Sequence, residues 1–311
     1  MIVSVVIPCY KVEKHIEEVI KNLPVEVAYI IAVNDNSPDE TGSILLRLQK
    51  EDKRIIYIRH EKNMGVGGAM ISGYRKSIEL KSDITVKMDG DNQMDVQYFS
   101  DILSPVKTKE ADFSKGNRFI DYKTLKEMPW IRKVGNFGLS FLIKAASGYW
   151  NIFDPTNGFT AINYETLVNI DFNRIHKRYF FESSILIELY HVNAVVKDIT
   201  MKAKYRNEIS GLSIIKTLIE FPPKLFYAFV RRILLKYFLY DFNIASLYIL
   251  VGLPFFLLGA IYGGVNFIKY AGQNIPAPTG TVVVPSLLII LGFQLLLAAI
   301  HIDIDNFPKK K

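Results

Sequence analysis

Short apolar runs alternate with amphipathic segments along the first 90 residues of the chain. The apolar runs are rich in Val and Ile, which is typical of strands buried on both faces of a sheet. The segments between them repeat apolar residues three or four positions apart, the spacing of one helix face. The predicted strands are Ile2–Ile7, Tyr29–Val33, Arg54–Arg59 and Ile84–Met88, and the predicted helices are Val12–Leu23, about Asp39–Lys50 and Gly65–Leu80. This order predicts an α/β domain with a mostly parallel, Rossmann-like sheet and helices on both faces.

The hydrophobic pattern changes near the C-terminus. Residues 242–268 contain no Asp, Glu, Lys or Arg, and a second apolar run extends from Val282 to Ile302. A helix needs about 20 apolar residues to cross a bilayer core, and both runs meet this length. The alternative, a buried hairpin in a large soluble core, is disfavoured because core helices are usually shorter and more mixed. We therefore predict transmembrane helices at about 244–268 and 282–302.

Basic residues flank these two segments on one side only. The connector between them carries one charged residue, Lys269, whereas both outer flanks are basic. The outer basic residues are Lys224, Arg231, Arg232, Lys236 and the three lysines at 309–311. Because positive flanks stay on the cytoplasmic side, both termini are expected in the cytoplasm. Met1–Pro8 is too short for a signal peptide.

Three segments follow from these patterns: an α/β domain at 1–210, a juxtamembrane segment at 211–241 and a two-helix anchor at 242–311. Apolar and basic residues interleave in the juxtamembrane segment, which is typical of amphipathic helices at a membrane surface that attracts their cations. Pro222 and Pro223 predict that this segment forms two short helices. The alternative is a helix packed on the α/β domain.

Composition narrows the class of protein. Half of the 311 residues are hydrophobic, which excludes a disordered or fibrous chain. The single cysteine, Cys9, excludes an intramolecular disulfide and a cysteine-rich zinc site, and it fits a reducing compartment. The net charge of +7 is too small to distinguish nucleic acid, a membrane surface or an anionic substrate as the partner. The partner therefore has to be inferred from local motifs.

Polar clusters follow three of the predicted strands, at Pro8–Tyr10, Asn34–Ser37 and Asp89–Gln93. Ligands of such sheets bind at the carboxyl ends of strands, so these clusters are expected to meet. Alternate side chains of an extended segment face the same way, and Asp89, Asp91 and Gln93 can therefore present oxygens to one point. Oxygen ligands suit Mg²⁺ or Mn²⁺, which would neutralise a leaving diphosphate. The alternative is a solvated acidic turn.

A glycine-rich turn, Asn63–Gly68, opens the third predicted helix. It departs from the dinucleotide-binding pattern G-x-G-x-x-G because Met70 occupies the place of the third glycine. It also follows the third predicted strand rather than the first. We interpret it as a tight turn in which Gly65 and the helix N-terminal amides lie near a ligand.

Six motifs together give a resemblance to a known family. They are Val5–Tyr10, Val33–Thr41, Asn63–Ala69, Met88–Gln93, Lys115–Phe119 and Asp154–Phe159. With them, the first ~210 residues resemble the GT-A fold of family 2 glycosyltransferases. With the two apolar segments added, the chain resembles the polyprenyl-phosphate glycosyltransferases, which include dolichyl-phosphate mannose synthases and bacterial undecaprenyl-phosphate glucosyltransferases.

This resemblance implies roles for individual residues. The residues implied in nucleotide-sugar binding are Pro8, Tyr10, Glu13, Asp35, Gly65 and Asp89. The implied metal ligands are Asp89, Asp91 and Gln93, and the implied catalytic residues are Asp91, Asp154, Arg118 and Arg132. The residues implied on the acceptor side are Arg118, Arg132, Asn136, Glu182 and Arg206. Because the acceptor phosphate is already ionised, Asp154 is either a base or a group that orients the reactants.

The chain departs from the family pattern at three places. Asn34 replaces the first acid of the usual Asp-Asp-Gly-Ser, and Lys11-Val12 replaces an Asn-Glu pair, which leaves Glu13 as the nearest acid. Ser210-Gly211-Leu212 lacks the lysine of the usual Ser-Lys-Leu, for which Lys202 or Lys204 could substitute.

The resulting hypothesis is a membrane-anchored, Mg²⁺- or Mn²⁺-dependent transferase. It would move a hexose from a nucleotide-sugar to a polyprenyl phosphate at the cytoplasmic face, with inversion. UDP-glucose is the preferred donor because the anchor resembles the bacterial type, and GDP-mannose stays open. The alternatives are a family 2 transferase acting on another lipid or glycan, and a non-catalytic nucleotide-binding membrane adaptor. A membrane oxidoreductase is disfavoured by the glycine pattern. No nucleic-acid partner is expected, and the oligomeric state is left open.

Overall fold

The computed structural model describes the backbone at 1–118, 130–202 and 214–310, and side chains there except at 130–134, 136 and 214–218. Two compact units are present. The first comprises residues 1–228 with the last residues from Pro308, and the second comprises Phe229–Phe307. The predicted boundaries at 210 and 241 fall on either side of the observed division.

The first unit is built on a mixed sheet of seven strands within the described residues. The strands are β1 Val3–Cys9, β2 Val27–Asn34, β3 Ile55–Arg59, β4 Ile84–Lys87, β5 Phe113–Asn117, β6 Thr160–Asn163 and β7 Val196–Thr200. Their order in the sheet is β3-β2-β1-β4-β6-β5-β7. Only β6 runs against its neighbours β4 and β5. The predicted α/β class with a mostly parallel sheet is therefore confirmed.

Helices connect the strands and cover the sheet. In the first unit they are α1 Ile16–Lys21, α2 Thr41–Glu51, α3 Val66–Glu79, α4 Phe99–Lys107, α5 Trp130–Ser147, α6 Tyr164–Asn169 and α7 Phe181–His191. Helix α3 approaches β1 very closely, because a Cβ built on Gly73 would lie 2.1 Å from a methyl carbon of Val6. Glycine is therefore required for this helix–sheet contact.

Helix α1 is shorter than predicted. The backbone N–H groups of Lys11 and Val12 donate to the Ser37 and Thr41 side chains, and Lys11 has a positive φ of 57°. These residues therefore form a loop that is bonded to the next loop, although their apolar spacing suits a helix.

Helix α8, Ile214–Leu234, continues through Pro222 and Pro223, so the prediction of two short helices is wrong. Packing offsets the two missing backbone donors: Phe221 and Leu225 are buried, and the Phe221 ring lies 4.9 Å from the Phe180 ring. A π-helical turn, Leu235–Tyr240, follows α8.

The second unit contains two long apolar helices, α9 Ile244–Gln273 and α10 Thr279–Asp305. They have 30 and 27 residues and contain 18-residue stretches with mean hydropathies of 2.3 and 2.5, respectively, so both are long and apolar enough to cross a membrane. At 1.5 Å per residue each is about 40 Å long or more, which exceeds the bilayer core of about 30 Å. Their backbones meet at Gly252 and Gly292, where an added Cβ on Gly292 would lie 2.5 Å from the Phe256 nitrogen.

A buried ion pair lies in the same unit. Both terminal nitrogens of Arg232 donate to the Asp303 carboxylate, at 2.7 and 2.8 Å, and Tyr237 donates to Asp303 at 2.8 Å. Arg232 is 1% exposed. The charge of Arg232 is therefore balanced inside the protein by Asp303.

Candidate functional site

The predicted site residues converge on one edge of the sheet. The carboxyl ends of β1, β2, β4 and β5 lie at this edge because those strands are parallel in direction. The amino end of β6 also lies there, because β6 runs the opposite way. The segment Asp154–Phe159, which leads into β6, therefore joins the loops after β1, β2, β4 and β5.

The loops after β1 and β2 form one connected wall. The Asp35 N–H donates to the Cys9 carbonyl at 2.9 Å, and the Lys11 N–H donates to Ser37 Oγ at 2.7 Å. Glu13 accepts the Glu40 N–H at 2.9 Å. Pro8 is half-buried at the end of β1 and Tyr10 is exposed, so this wall presents Tyr10 to solvent. The structure thus brings together the predicted Pro8, Tyr10, Glu13 and Asp35.

Asp35 is buried and holds the glycine-rich turn. Its carboxylate accepts the Met64 N–H at 2.8 Å and the Gly65 N–H at 2.7 Å. Gly65 has a φ of 83°, and a Cβ there would lie 2.6 Å from the Lys177 carbonyl, so only glycine fits. His60 also contacts Asp35, with Nδ1 at 2.7 Å from Oδ1, and its Nε2 lies 2.9 Å from Ser72 Oγ.

The acidic turn follows β4. Asp89, Asp91 and Gln93 are half-buried, and Asp91 Oδ1 accepts the Gln93 N–H at 3.0 Å. Lys87 donates to Asp89 Oδ1 at 2.7 Å, and a Cβ on Gly158 would lie 3.0 Å from Asp89 Oδ2. The turn is thus held on one side by Lys87, and Gly158, two residues before β6, lies opposite it.

A divalent cation fits this turn when a substrate completes its ligands. Among the described residues, no three His, Cys, Asp or Glu side chains form a group that could hold a metal by themselves. Mg²⁺ is usually bound by one or two carboxylates together with substrate phosphates rather than by an all-protein cage. Asp89 and Asp91, two residues apart and partly open to solvent, suit that kind of site.

The buried Lys87 and the half-buried Glu182 form a charged pair behind the turn. Lys87 is 1% exposed, and its Nζ lies 3.6 Å from Glu182 Oε1. Burial raises the pKa of Glu182, whereas Lys87 opposes this shift. Burial lowers the pKa of Lys87, but Asp89 and Glu182 outweigh it and raise the pKa above its ordinary value. Glu182, which was predicted on the acceptor side, is therefore paired with Lys87, the residue that binds Asp89 in the acidic turn.

Asp154 and Arg118 form the second charged element of the edge. Arg118 Nε and Nη2 donate to the two Asp154 oxygens at 2.8 and 3.2 Å. Asp154 is 0% exposed, whereas the Arg118 side chain is 37% exposed. Burial alone would raise the pKa of Asp154, but the charges of Arg118 and Lys115 outweigh it and lower the pKa. The buried carboxylate therefore holds the guanidinium at the surface of the edge.

Residues of β5 and β7 hold the segment that carries Asp154. Lys115 donates to the Asp154 carbonyl, and the Phe153 N–H donates to Asp198 at 2.7 Å. Asn117 donates to the same Asp198 oxygen at 3.1 Å. Burial lowers the pKa of Lys115 to about 8 and raises the pKa of Asp198.

Three candidate functional residues were not predicted from the sequence. Lys87, Lys115 and Asp198 occupy paired positions across the sheet, linked through Thr160 of β6. Lys87 had one detectable signal, a lysine inside a buried strand two residues before Asp89. Among predicted residues, Arg132 and Asn136 lie in α5 without described side chains, and Arg206 lies outside the described residues.

Residues 4–182 match the model of glycosyl transferase family 2. This stretch is more than half of the 311 residues, so the chain belongs to glycosyl transferase family 2 and is a glycosyltransferase.

Two named relatives are similar to this chain in sequence, and one solved structure is similar to it in fold. The chain is 33% identical over 199 residues to a UDP-N-acetylglucosamine–dolichyl-phosphate N-acetylglucosaminyltransferase of Methanococcus voltae, covering 60% of this chain and 79% of the relative. It is 27% identical over 226 residues to a dolichol-phosphate mannosyltransferase of Pyrococcus furiosus, covering 71% and 62%. The fold is similar to that of glucosyl-3-phosphoglycerate synthase of Mycobacterium tuberculosis, solved with Mn²⁺, UDP and glucosyl-3-phosphoglycerate. The TM-score is 0.52 at 16% identity, covering 74% and 79%. The GT-A fold is thereby confirmed.

Proposed function

We propose that this protein transfers a hexose from a nucleotide-sugar to the phosphate of a polyprenyl lipid, with inversion at the anomeric carbon. The observation that carries the proposal is one arrangement at the sheet edge. There the acidic turn of Asp89 and Asp91 lies at the same edge as Arg118, which the buried Asp154 holds. A carboxylate turn suits a metal-bound diphosphate, and an arginine suits a phosphate. The names of the relatives above support the lipid acceptor.

The donor would bind along the wall after β1 and β2. Pro8, Tyr10 and Glu13 would line the base and ribose, and Asp35 would contact the base while it holds the Gly65 turn. Asp89, Asp91 and Gln93 would hold Mg²⁺ or Mn²⁺ together with the donor diphosphate. When bound, the ion would supply positive charge to the leaving nucleoside diphosphate.

The acceptor phosphate would bind at Arg118, with Arg132 and Asn136 on α5 and Arg206 as further candidates. One phosphate oxygen forms a bond to the anomeric carbon while the bond to the donor diphosphate breaks. The acceptor is already an anion, so no strong base is needed. The burial of Asp154 and its two bonds to Arg118 support a role in positioning Arg118 rather than in taking a proton.

The two apolar helices would anchor this reaction at the membrane where the lipid resides. We propose that 242–311 forms the anchor, that 211–241 lies near the membrane surface, and that 1–210 carries the chemistry. Both termini would face the cytoplasm, since the basic residues flank the spans on that side. A tag placed after Lys311 that a protease reaches only from outside the cell would contradict this topology.

UDP-glucose is the donor we propose, and a panel of donors tests it. Purified protein with undecaprenyl phosphate and Mn²⁺ or Mg²⁺ would receive labelled UDP-glucose, UDP-N-acetylglucosamine or GDP-mannose, and the lipid fraction would be counted. Label in the lipid from UDP-glucose is the expected result. Label from another donor alone would change the proposed donor sugar. Nucleotide binding without transfer from any donor would refute the proposed transferase activity.

Asp91→Asn tests the metal site within the same assay. We expect at least about 100-fold slower transfer from a folded protein, because a carboxylate ligand for the diphosphate-bound ion is lost. Asp101→Asn is the matched control, since Asp101 is an exposed acid in the first turn of α4. Full activity of the Asp91 variant would remove the metal role from this turn.

A further inference from the structure

An exposed apolar surface adjoins the Asp154 segment. On α5, Phe137 is 60% exposed, Phe141 59% and Leu142 41%. These residues lie on one helix face, because Ile143 and Ala146 are buried on the other. Gly138 lies on the exposed face, with open space where a Cβ would be. We name Phe137, Phe141, Leu142 and Phe153 the aromatic patch.

Phe153 connects this patch to the charged pair. It is 60% exposed and directly precedes the buried Asp154. Its carbonyl accepts Ser140 Oγ at 3.3 Å, and Lys144 Nζ lies 4.4 Å from its ring centre. Both Ser140 and Lys144 belong to α5, so the Phe153 ring is held beside the exposed face of that helix.

The charges around the patch define what it can bind. Arg118, paired with Asp154, and Lys144, beside the Phe153 ring, place two cations next to an apolar surface. A ligand with an anionic head and an apolar tail complements this arrangement. Solvent-exposed phenylalanines that cluster in this way are typical of a binding surface.

We propose that the aromatic patch binds the first isoprene units of the acceptor lipid while its phosphate lies at Arg118. This inference rests on the proposed function, because that function supplies the isoprenoid phosphate. It adds an apolar subsite on the catalytic unit, built from α5 and Phe153. The patch thereby contributes to acceptor affinity and not to donor binding.

The test is steady-state kinetics of Phe141→Ser/Phe153→Ser in detergent solution, with undecaprenyl phosphate as acceptor. Both rings are about 60% exposed, so the variant is expected to keep the melting temperature of the wild type. The acceptor KM should rise about tenfold, because two apolar contacts with the isoprenoid are lost. The donor KM and the kcat at saturating acceptor should stay within about twofold.

Two controls define the interpretation. Phe141→Leu/Phe153→Leu keeps apolar surface and should restore most of the acceptor affinity. Leu46→Ser removes an apolar side chain of α2 that is 49% exposed and should leave the acceptor KM unchanged. Detergent removes the bilayer, so a rise in KM there reports contact with the acceptor itself.

Several results would overturn the inference. An unchanged acceptor KM in detergent would refute the subsite, and a loss of activity confined to liposomes would assign the patch to the bilayer surface instead. If the wild-type protein transferred sugar to no polyprenyl phosphate, the proposed function would fail and this inference with it. Wild-type transfer with an unchanged KM in the serine variant would overturn this inference alone.

Discussion

Removal of the Lys87 charge should strongly destabilise the first unit, Met1–Ala228. Lys87 is 1% exposed and lies 2.7 Å from Asp89 and 3.6 Å from Glu182. In Lys87→Met, the half-buried Glu182 and Asp89 lose the buried cation that they share. Breaking a buried ion pair from one side costs about 3–5 kcal/mol. Because Asp89 retains access to water, we expect the lower end, about 3 kcal/mol.

The assay is thermal unfolding of the full chain in detergent, followed by circular dichroism. About 3 kcal/mol corresponds to a fall in melting temperature of about 10 °C for a unit of this size. The matched control is Lys76→Met, whose pair with Glu79 spans 2.8 Å but has side chains 28% and 67% exposed. An exposed pair contributes less than about 1 kcal/mol, so that variant should melt within about 3 °C of the wild type.

A second substitution tests which of the two acids causes the loss of stability in Lys87→Met. Lys87→Met/Glu182→Gln removes the half-buried carboxylate that the single variant leaves without a cation, so about half of the lost melting temperature should return. A single variant that melts like the Lys76 control would refute the argument that Lys87 compensates buried charge. A double variant no more stable than the single one would show that Glu182 is not the destabilising group.

Three other predictions concern pH and packing. Asp154→Asn should lower the melting temperature at pH 7, because the lowered pKa of Asp154 in the folded protein means that its charge is stabilising. The difference in melting temperature from the wild type should shrink below about pH 3.8, where this charge is lost, and a pH-independent difference would contradict the argument. Burial raises the pKa of Glu188 from 4.5 to about 7, so the stability of the wild type falls as the pH rises through this range. Glu188→Gln should therefore melt at a higher temperature than the wild type at pH 8 and at the same temperature at pH 4, and equal melting temperatures at pH 8 would contradict this prediction. Gly73→Ala should lower the free energy of unfolding by about 1–3 kcal/mol, because the added Cβ would overlap Val6 of β1. Gly138→Ala, where the Cβ would meet open space, should be neutral or stabilising by up to about 1 kcal/mol, and a neutral Gly73 variant would refute the close contact.

Local patterns predicted the elements well where packing and propensity agree. The four N-terminal strands lie within two residues of their predicted bounds, because apolar β-branched runs signal buried strands. The prediction failed at Val12, whose N–H is bonded to Thr41 in the next loop. It failed again at Pro222, where burial of neighbouring side chains maintains the helix. In both cases a contact distant in sequence outweighed the local preference.

The sequence by itself determined the α/β class, the two apolar helices and the acidic turn, because hydrophobic periodicity and motif spacing are local properties. The tertiary structure decided which charges meet. Arg118 and Asp154 are 36 residues apart, and Arg232 and Asp303 are 71 apart. The antiparallel insertion of β6 between β4 and β5 brings Asp154 to the edge of the sheet that carries the acidic turn. Strand order and register arise from pairing between distant segments, so no local pattern reveals that a buried aspartate holds Arg118 in place.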